Sequence, residues 1–280
     1  MRRFRWLALL AALMLTAPAR AQRGRGGASS AAGPAGPAPR WPDGHVNLGA
    51  LPGQPGVWTG NGGRLARNPN SYEPNAGANA PIHIDGVPIQ DWAKALTNFR
   101  HQNVLADEPH SRCKPSPGPR QFVTPYGTEI LEMPELKRVY IFDVGGPHTF
   151  RIVYMDGRGH PPDFAPTYYG HSIGRWEDNG NALVIDTIGF NERAWMNRDA
   201  IPHTDRMHLV ERLSRPDFNT LKYDVTIDDP GAFTRPWDSG FSLNWSAGTE
   251  MFEYICQDNN HGPEMMVGTE GVLRSFRFVP

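Results

Sequence analysis

The stretch GHSIGRWEDNGNALVIDTIGFN, Gly170–Asn191, decides how this chain is read. Two β-prone runs, HSIGRWE and ALVIDTIGF, flank the polar turn DNGN. Asn and Gly tolerate the left-handed backbone of tight turns, so the stretch predicts a hairpin. The same grammar extends in both directions. Upstream lie TEILEM and RVYIFDV, then the turn GGP and TFRIVYMD, then a long loop, GRGHPPDFAPTYY. Downstream, MHLVERLSR and TLKYDVTID flank PDFN, and GFSLNW and EMFEYICQ flank SAGT. That makes about nine strands, with GVLRSFRFV near the end as a further candidate. No long helical pattern separates them, which excludes βαβ units and predicts an antiparallel, mainly β domain. A closed barrel buries one face of every strand and removes the edges; a sandwich is the alternative.

The N-terminal part is organised differently. Residues 1–21, MRRFRWLALLAALMLTAPARA, have a charged start, a short apolar run and a small-x-small site, the pattern of a cleavable signal peptide. The mature chain is therefore expected to be periplasmic or secreted, with no integral membrane segment. Residues 22–40, rich in Gly, Ala and Pro, have little to bury and read as a disordered linker. Residues 41–112 form an irregular N-terminal arm with one predicted helix, Asp91 to Gln102, N-capped by Asp91. Trp92, Leu96 and Phe99 give that helix an apolar stripe. Residues 113–280 are left as the barrel domain.

The formal charge of −1 over 280 residues hides an asymmetry. Residues 1–40 hold seven Arg and no acid, which leaves 21 basic against 29 acidic residues in the remainder, a net of −8. Such a surface repels phosphate backbones, so nucleic acid is excluded as a partner. The two cysteines, Cys113 and Cys256, predict a disulfide in an oxidising compartment.

Strand phase singles out the polar residues. Side chains alternate faces with period two. Asp186 shares a face with Ala182, Val184 and Ile188, and Glu211 with Met207, Leu209 and Leu213. His171, Ile173, Arg175 and Glu177 share one face of their strand; Ser172, Gly174 and Trp176 share the other. An unpaired carboxylate inside a barrel is strongly disfavoured unless it takes up a proton, so each needs a partner. Arg151, Arg175, Arg212, His171 and His208 are available. Two readings stay open. In one, Asp186 and Glu211 line a cavity with His171, one carboxyl protonated and one ionised, as an acid and a base. In the other, Arg–carboxylate pairs brace the barrel and Trp176 stacks on an Arg.

A second cluster, Asp156, Arg158, His160 and Asp163, sits in the long loop, where ligands reach a barrel mouth. Its alternative is a Gly- and Pro-shaped turn. The aromatics of the β region, Trp237 among them, either line a cavity for a flat ligand or fill it. Gly170-His171-Ser172-Ile173-Gly174 has the wording G-x-S-x-G but lacks the strand–turn–helix setting of a nucleophile elbow. His203 and His208 face opposite ways on a strand and His203 with Asp205 supplies only two ligands; a site assembled from distant His160, His171 and His203 is the alternative, and no metal site or cofactor is expected.

RIVYMDGRGHPPD, YYGHSIGRWE, LVIDTIGFNERAW, HTDRMHLVERLSRPD and VTIDDPGAFTRPW together resemble a family of exported bacterial proteins of unassigned function. Its motifs are YxDGRxHP, GxSxGxWEGDTLVVDTxGFN and HTExLHVxERF. The resemblance spans roughly Cys113 to Cys256 and implies a lipocalin-like (calycin-type) antiparallel barrel. Gly174-Arg175-Trp176 mirrors the Gly-x-Trp of lipocalins, whose Trp packs with an Arg to close the barrel. Two departures stand out: EDNGNA replaces the usual EGDT, expected to alter only an exposed hairpin tip, and Asp205 replaces Glu. The function expected is a barrel binding a small apolar or aromatic molecule. The alternatives are a cofactor-free acid–base enzyme using His171, Asp186 and Glu211, and a structural envelope protein.

Overall fold

The computed structural model describes residues 35–60, 86–102, 107–124, 126–143, 149–197 and 199–258. The expected signal peptide, most of the linker and GVLRSFRFV lie outside the described residues. Nine strands close into one barrel in sequence order: β1 Gly56–Gly60, β2 Thr128–Met133, β3 Arg138–Asp143, β4 Phe150–Tyr154, β5 His171–Glu177, β6 Ala182–Ile188, β7 His208–Ser214, β8 Thr220–Asp228 and β9 Trp237–Ala247. β1 returns to pair with β9, from Gly56 opposite Ala247 to Gly60 opposite Leu243.

Three expectations about the strands need correction. The pairing is not antiparallel throughout. β4 and β5 run parallel, Val153 opposite Ser172 and Tyr154 opposite Ile173, because the long loop after β4 carries the chain back along the outside before β5 begins. EMFEYICQ is not a strand; residues 248–258 are irregular. The missing strand is β1, drawn from inside the expected arm. Its sequence, GVWTG, hides among Pro and Gly residues. Gly56 is required by close approach, since a Cβ there would lie 2.3 Å from Cζ2 of Trp245.

The interior is packed by alternate residues of every strand, among them Val139, Ile141, Val153, Leu183, Ile185, Leu209, Leu213, Tyr223, Leu243 and Trp245. A 3-10 turn at Gly118–Val123, in the loop after Cys113, is buried along its whole length, and the Phe122 ring packs tilted against Tyr223 at 4.8 Å.

Both ends are covered. The end bearing the β2–β3, β5–β6 and β7–β8 turns is crossed by residues 37–54. There Pro37 bridges Asp217, Val46 N–H donates to Gly180 O (2.8 Å), and Arg40 donates to Asn181 (2.5 Å). The hairpin tip that replaces the usual EGDT is thus a docking point for the arm, not merely an exposed end. Here too lies the Trp–Arg closure, in a different place from the one expected. Trp58, not Trp176, fills the barrel end. The Arg215 guanidinium stands 4.8 Å over its ring and donates to the carbonyls of Asn47, Gly49 and Phe218. Burial lowers the Arg215 pKa to about 10.

The opposite end is capped by α1 (Asp91–Gln102) and by loops 189–207 and 229–236. The helix has the expected bounds, but its buried residues are Ala93 and Thr97, while Trp92 and Phe99 lie largely at the surface. Trp92 still donates its indole N–H to Gly231 O at 3.0 Å. Cys113 and Cys256 form the expected disulfide across 143 residues of sequence, with Cα atoms 5.6 Å apart. In the chain-entropy model a bridge over such a loop stabilises by at most about 5 kcal/mol.

Candidate active site

The register separates the two carboxylates that the sequence pattern placed together. Ile185 is opposite Glu211, and Asp186 is opposite Val210. Glu211 therefore points into the barrel, with Leu183, Ile185 and Thr187 on the neighbouring strand, and Asp186 points out. The expectation of one shared cavity is corrected. Asp186 stands on the outward row with Ala182 and Val184, not on the face that meets the core.

Glu211 is fully buried and doubly bound by Arg151, one contact being Nη1 to Oε1 at 3.0 Å. Tyr223 donates its hydroxyl to the same Oε1 at 2.9 Å. The remaining guanidinium donors reach Ser172 Oγ (2.9 Å) and Thr187 Oγ1 (2.6 Å), which also bond each other. A buried ion pair survives desolvation only when its other polar atoms are satisfied, and this one meets that condition. Burial works against the Arg151 charge, but Glu211 more than offsets it and raises its pKa. Tyr223 is pushed well above the ordinary tyrosine range, first by burial and then by Glu211, so it stays a proton donor to the carboxylate. Glu211 and Ser172 thus belong to a brace. The sequence offers Tyr223 only as one more member of an apolar row; nothing local marks its hydroxyl.

A different constellation forms on the outer face. Asp186 Oδ1 accepts from Nε2 of His208 (2.8 Å) and Nε2 of His160 (3.1 Å). His160 Nδ1 meets His171 Nδ1 at 2.9 Å. The result is a chain, His171–His160–Asp186–His208, drawn from β5, the long loop, β6 and β7. Exposure rises along it: His171 is buried, and the next three side chains are 17 %, 27 % and 40 % exposed. His171 is walled in by Tyr154 (stacked, 5.1 Å) and by the edge of Phe164 (5.5 Å). Gly170 makes this entry to β5 feasible. Its φ is +65°, and a Cβ there would lie 2.4 Å from Ile188 O. Burial first, then His160 and Arg158, lower the His171 pKa below the ordinary histidine value.

The proton accounting follows from these contacts. An ionised carboxylate can only accept, so His160 and His208 each present Nε2–H to Asp186. Neutral His160 then accepts at Nδ1 from Nδ1–H of His171. His208, the exposed terminus, keeps a lone pair on Nδ1, fixed in direction by its bond to Asp186. A proton taken up there makes an imidazolium beside a carboxylate, the arrangement that stabilises such a cation.

The other expected residues are placed as follows. Asp156 and Arg158 form a two-pronged pair, with Nε to Oδ1 at 2.8 Å and Nη2 to Oδ2 at 2.5 Å, which lowers the Asp156 pKa to about 2. Arg158 lies 4.1 Å over the Tyr154 ring, on which His171 also stacks, so it helps build the wall of the site. Arg175 is at the surface and bonds Glu177 (2.9 Å). Trp176 packs tilted against His45 of the arm at 4.3 Å, and Trp237 is buried against Phe233 at 5.3 Å; both pack rather than line the outer site. His203 is buried apart from the cluster, and the neighbouring Thr204 bonds Asp229 through N–H and hydroxyl (2.6 and 2.5 Å). Among the described residues no group of three or more His, Cys, Asp or Glu is arranged to hold a metal ion, and no helix is long and apolar enough to cross a membrane. Comparison with protein-family models, with curated proteins and with solved structures finds no match to this chain.

Proposed function

We propose that the protein is an exported acid–base enzyme whose working group is the His208 imidazole. Asp186 orients that ring and stabilises its charged form; His160, backed by His171, holds Asp186 from the buried side. The observation that carries this reading is a single carboxylate oxygen binding two imidazoles, with exposure rising outward to His208. A merely structural network has no need of such a gradient. The inward rows around Glu211 are occupied by Arg151, Tyr223, Phe122 and Phe241, so the reading places the chemistry on the outer face. The reactions within reach are those of one positioned base: activating water on an ester or amide carbonyl, or shifting a proton next to a carbonyl.

The test is turnover by the mature protein on a panel of small esters, lactones, amides and α-hydroxy ketones. His208→Ala and Asp186→Asn are expected to lower turnover by about 10²–10⁴-fold, the usual share of a positioned acid–base group, with thermal midpoints close to wild type. Full turnover in His208→Ala, or an inert wild-type protein across the panel, would count against the reading.

A further inference from the structure

The outer face carries a groove of about 300 Å³ beside this site. Val184 and Val210 line it. Val210 is the register partner of Asp186, and His208 lies two residues before Val210 on the same face of β7. Two residues along a strand span roughly 7 Å, so a molecule lying over Val210 ends within reach of His208.

The charges around the groove are uneven. On β5 and β7 stand Arg175 and Arg212, whose positive charges are already matched. Arg175 binds Glu177, and Arg212 binds Glu177 and Asp178. On β8 and β9 stand Asp224, directly opposite Arg212, and Asp238, whose partner Thr226 is opposite Val210. Lys222 meets Asp224 at 3.0 Å. Asp238 accepts from the neutral hydroxyl of Thr226 at 2.7 Å, and no cation is paired with it among the described residues. The charge left over in the groove is therefore one carboxylate, Asp238, in the same cross-strand row as Val210.

We propose that this groove binds the substrate of the acid–base site, and that the substrate carries a protonated amine on a short aliphatic body. The amine pairs with Asp238, the body lies on Val210 with Val184 beside it, and the other end meets His208. The catalytic meaning of this inference rests on the reading above, but the binding itself is measurable without any turnover.

The experiment is a titration of the mature protein with n-butylamine, butyrate and butanol, followed by methyl NMR of Val184 and Val210. Butylamine is expected to shift both valine signals saturably, and the two controls to leave them nearly unmoved. Asp238→Asn should weaken butylamine binding by about threefold to fivefold, the range of an exposed ion pair. His208→Ala should retain binding while losing turnover. Equal shifts from butyrate or butanol, or unchanged butylamine affinity in Asp238→Asn, overturn the groove assignment. Amine binding that persists with no His208-dependent turnover sinks the catalytic reading and leaves the groove standing. The reverse pattern sinks the groove alone.

Discussion

At the scale of single residues, the same signal produced one brace and one candidate site. Asp186 and Glu211 each stand as the lone charge in an apolar row. What distinguishes them is the β6–β7 register, and no local pattern records a register between strands separated by a 19-residue connection of irregular sequence. Once Glu211 is placed inside with Arg151 and Tyr223, its removal and that of its partner have different consequences. Arg151→Leu leaves a carboxylate buried without its cation and is expected to cost about 3–5 kcal/mol in urea unfolding. The double replacement Arg151→Leu with Glu211→Leu should recover much of that loss, since a packed apolar pair of similar volume removes the stranded charge. A double variant no more stable than the single one would show that the brace does more than neutralise itself. At Gly170 and His171 the order of residues was legible, but the reason for the glycine, the nearness of Ile188 O, was not.

At the scale of elements, alternation and turn chemistry made β2 to β8 readable, because each of those strands has one buried face and most are joined by short polar turns. β1 escaped because its glycines, needed where Trp245 and the Phe122 backbone press close, erase the alternation that would announce a strand. EMFEYICQ misled for the opposite reason. Its alternation is genuine, but the residues are used by a disulfide and by aromatic contacts of Phe252 and Tyr254 with Tyr126, not by a ladder. The unequal seams also predict where the barrel opens. Among described residues β1 meets β2 at Trp58–Thr128, and β4 meets β5 over two register pairs, whereas β7, β8 and β9 are paired along most of their length. Native-state hydrogen exchange should therefore show the amides of the β1–β2 and β4–β5 seams exchanging first and those of β8 last. Protection in β4 and β5 equal to that in β8 would contradict this ordering.

At the scale of the whole molecule, two buried histidines make stability depend on pH. Burial is the largest cause of the lowered pKa of both His171 and His203. In the unfolded chain both titrate near 6.5. Below that value the unfolded state holds protons that the folded state does not, so stability falls as pH is lowered through about 6.5. The urea midpoint is expected to drop between pH 7.5 and pH 5, and to drop less steeply in His203→Gln. A midpoint that rises on acidification would reverse the sign and refute the assignment. The closure of the barrel carries a further consequence, in time rather than in space. The first strand finds its partner in the last, so as the polypeptide emerges from its N-terminus β1 stays an open edge until Ala247 has been made. The ring cannot be completed piecemeal: one flank of the opening segment stays bare until the ninth strand has been made.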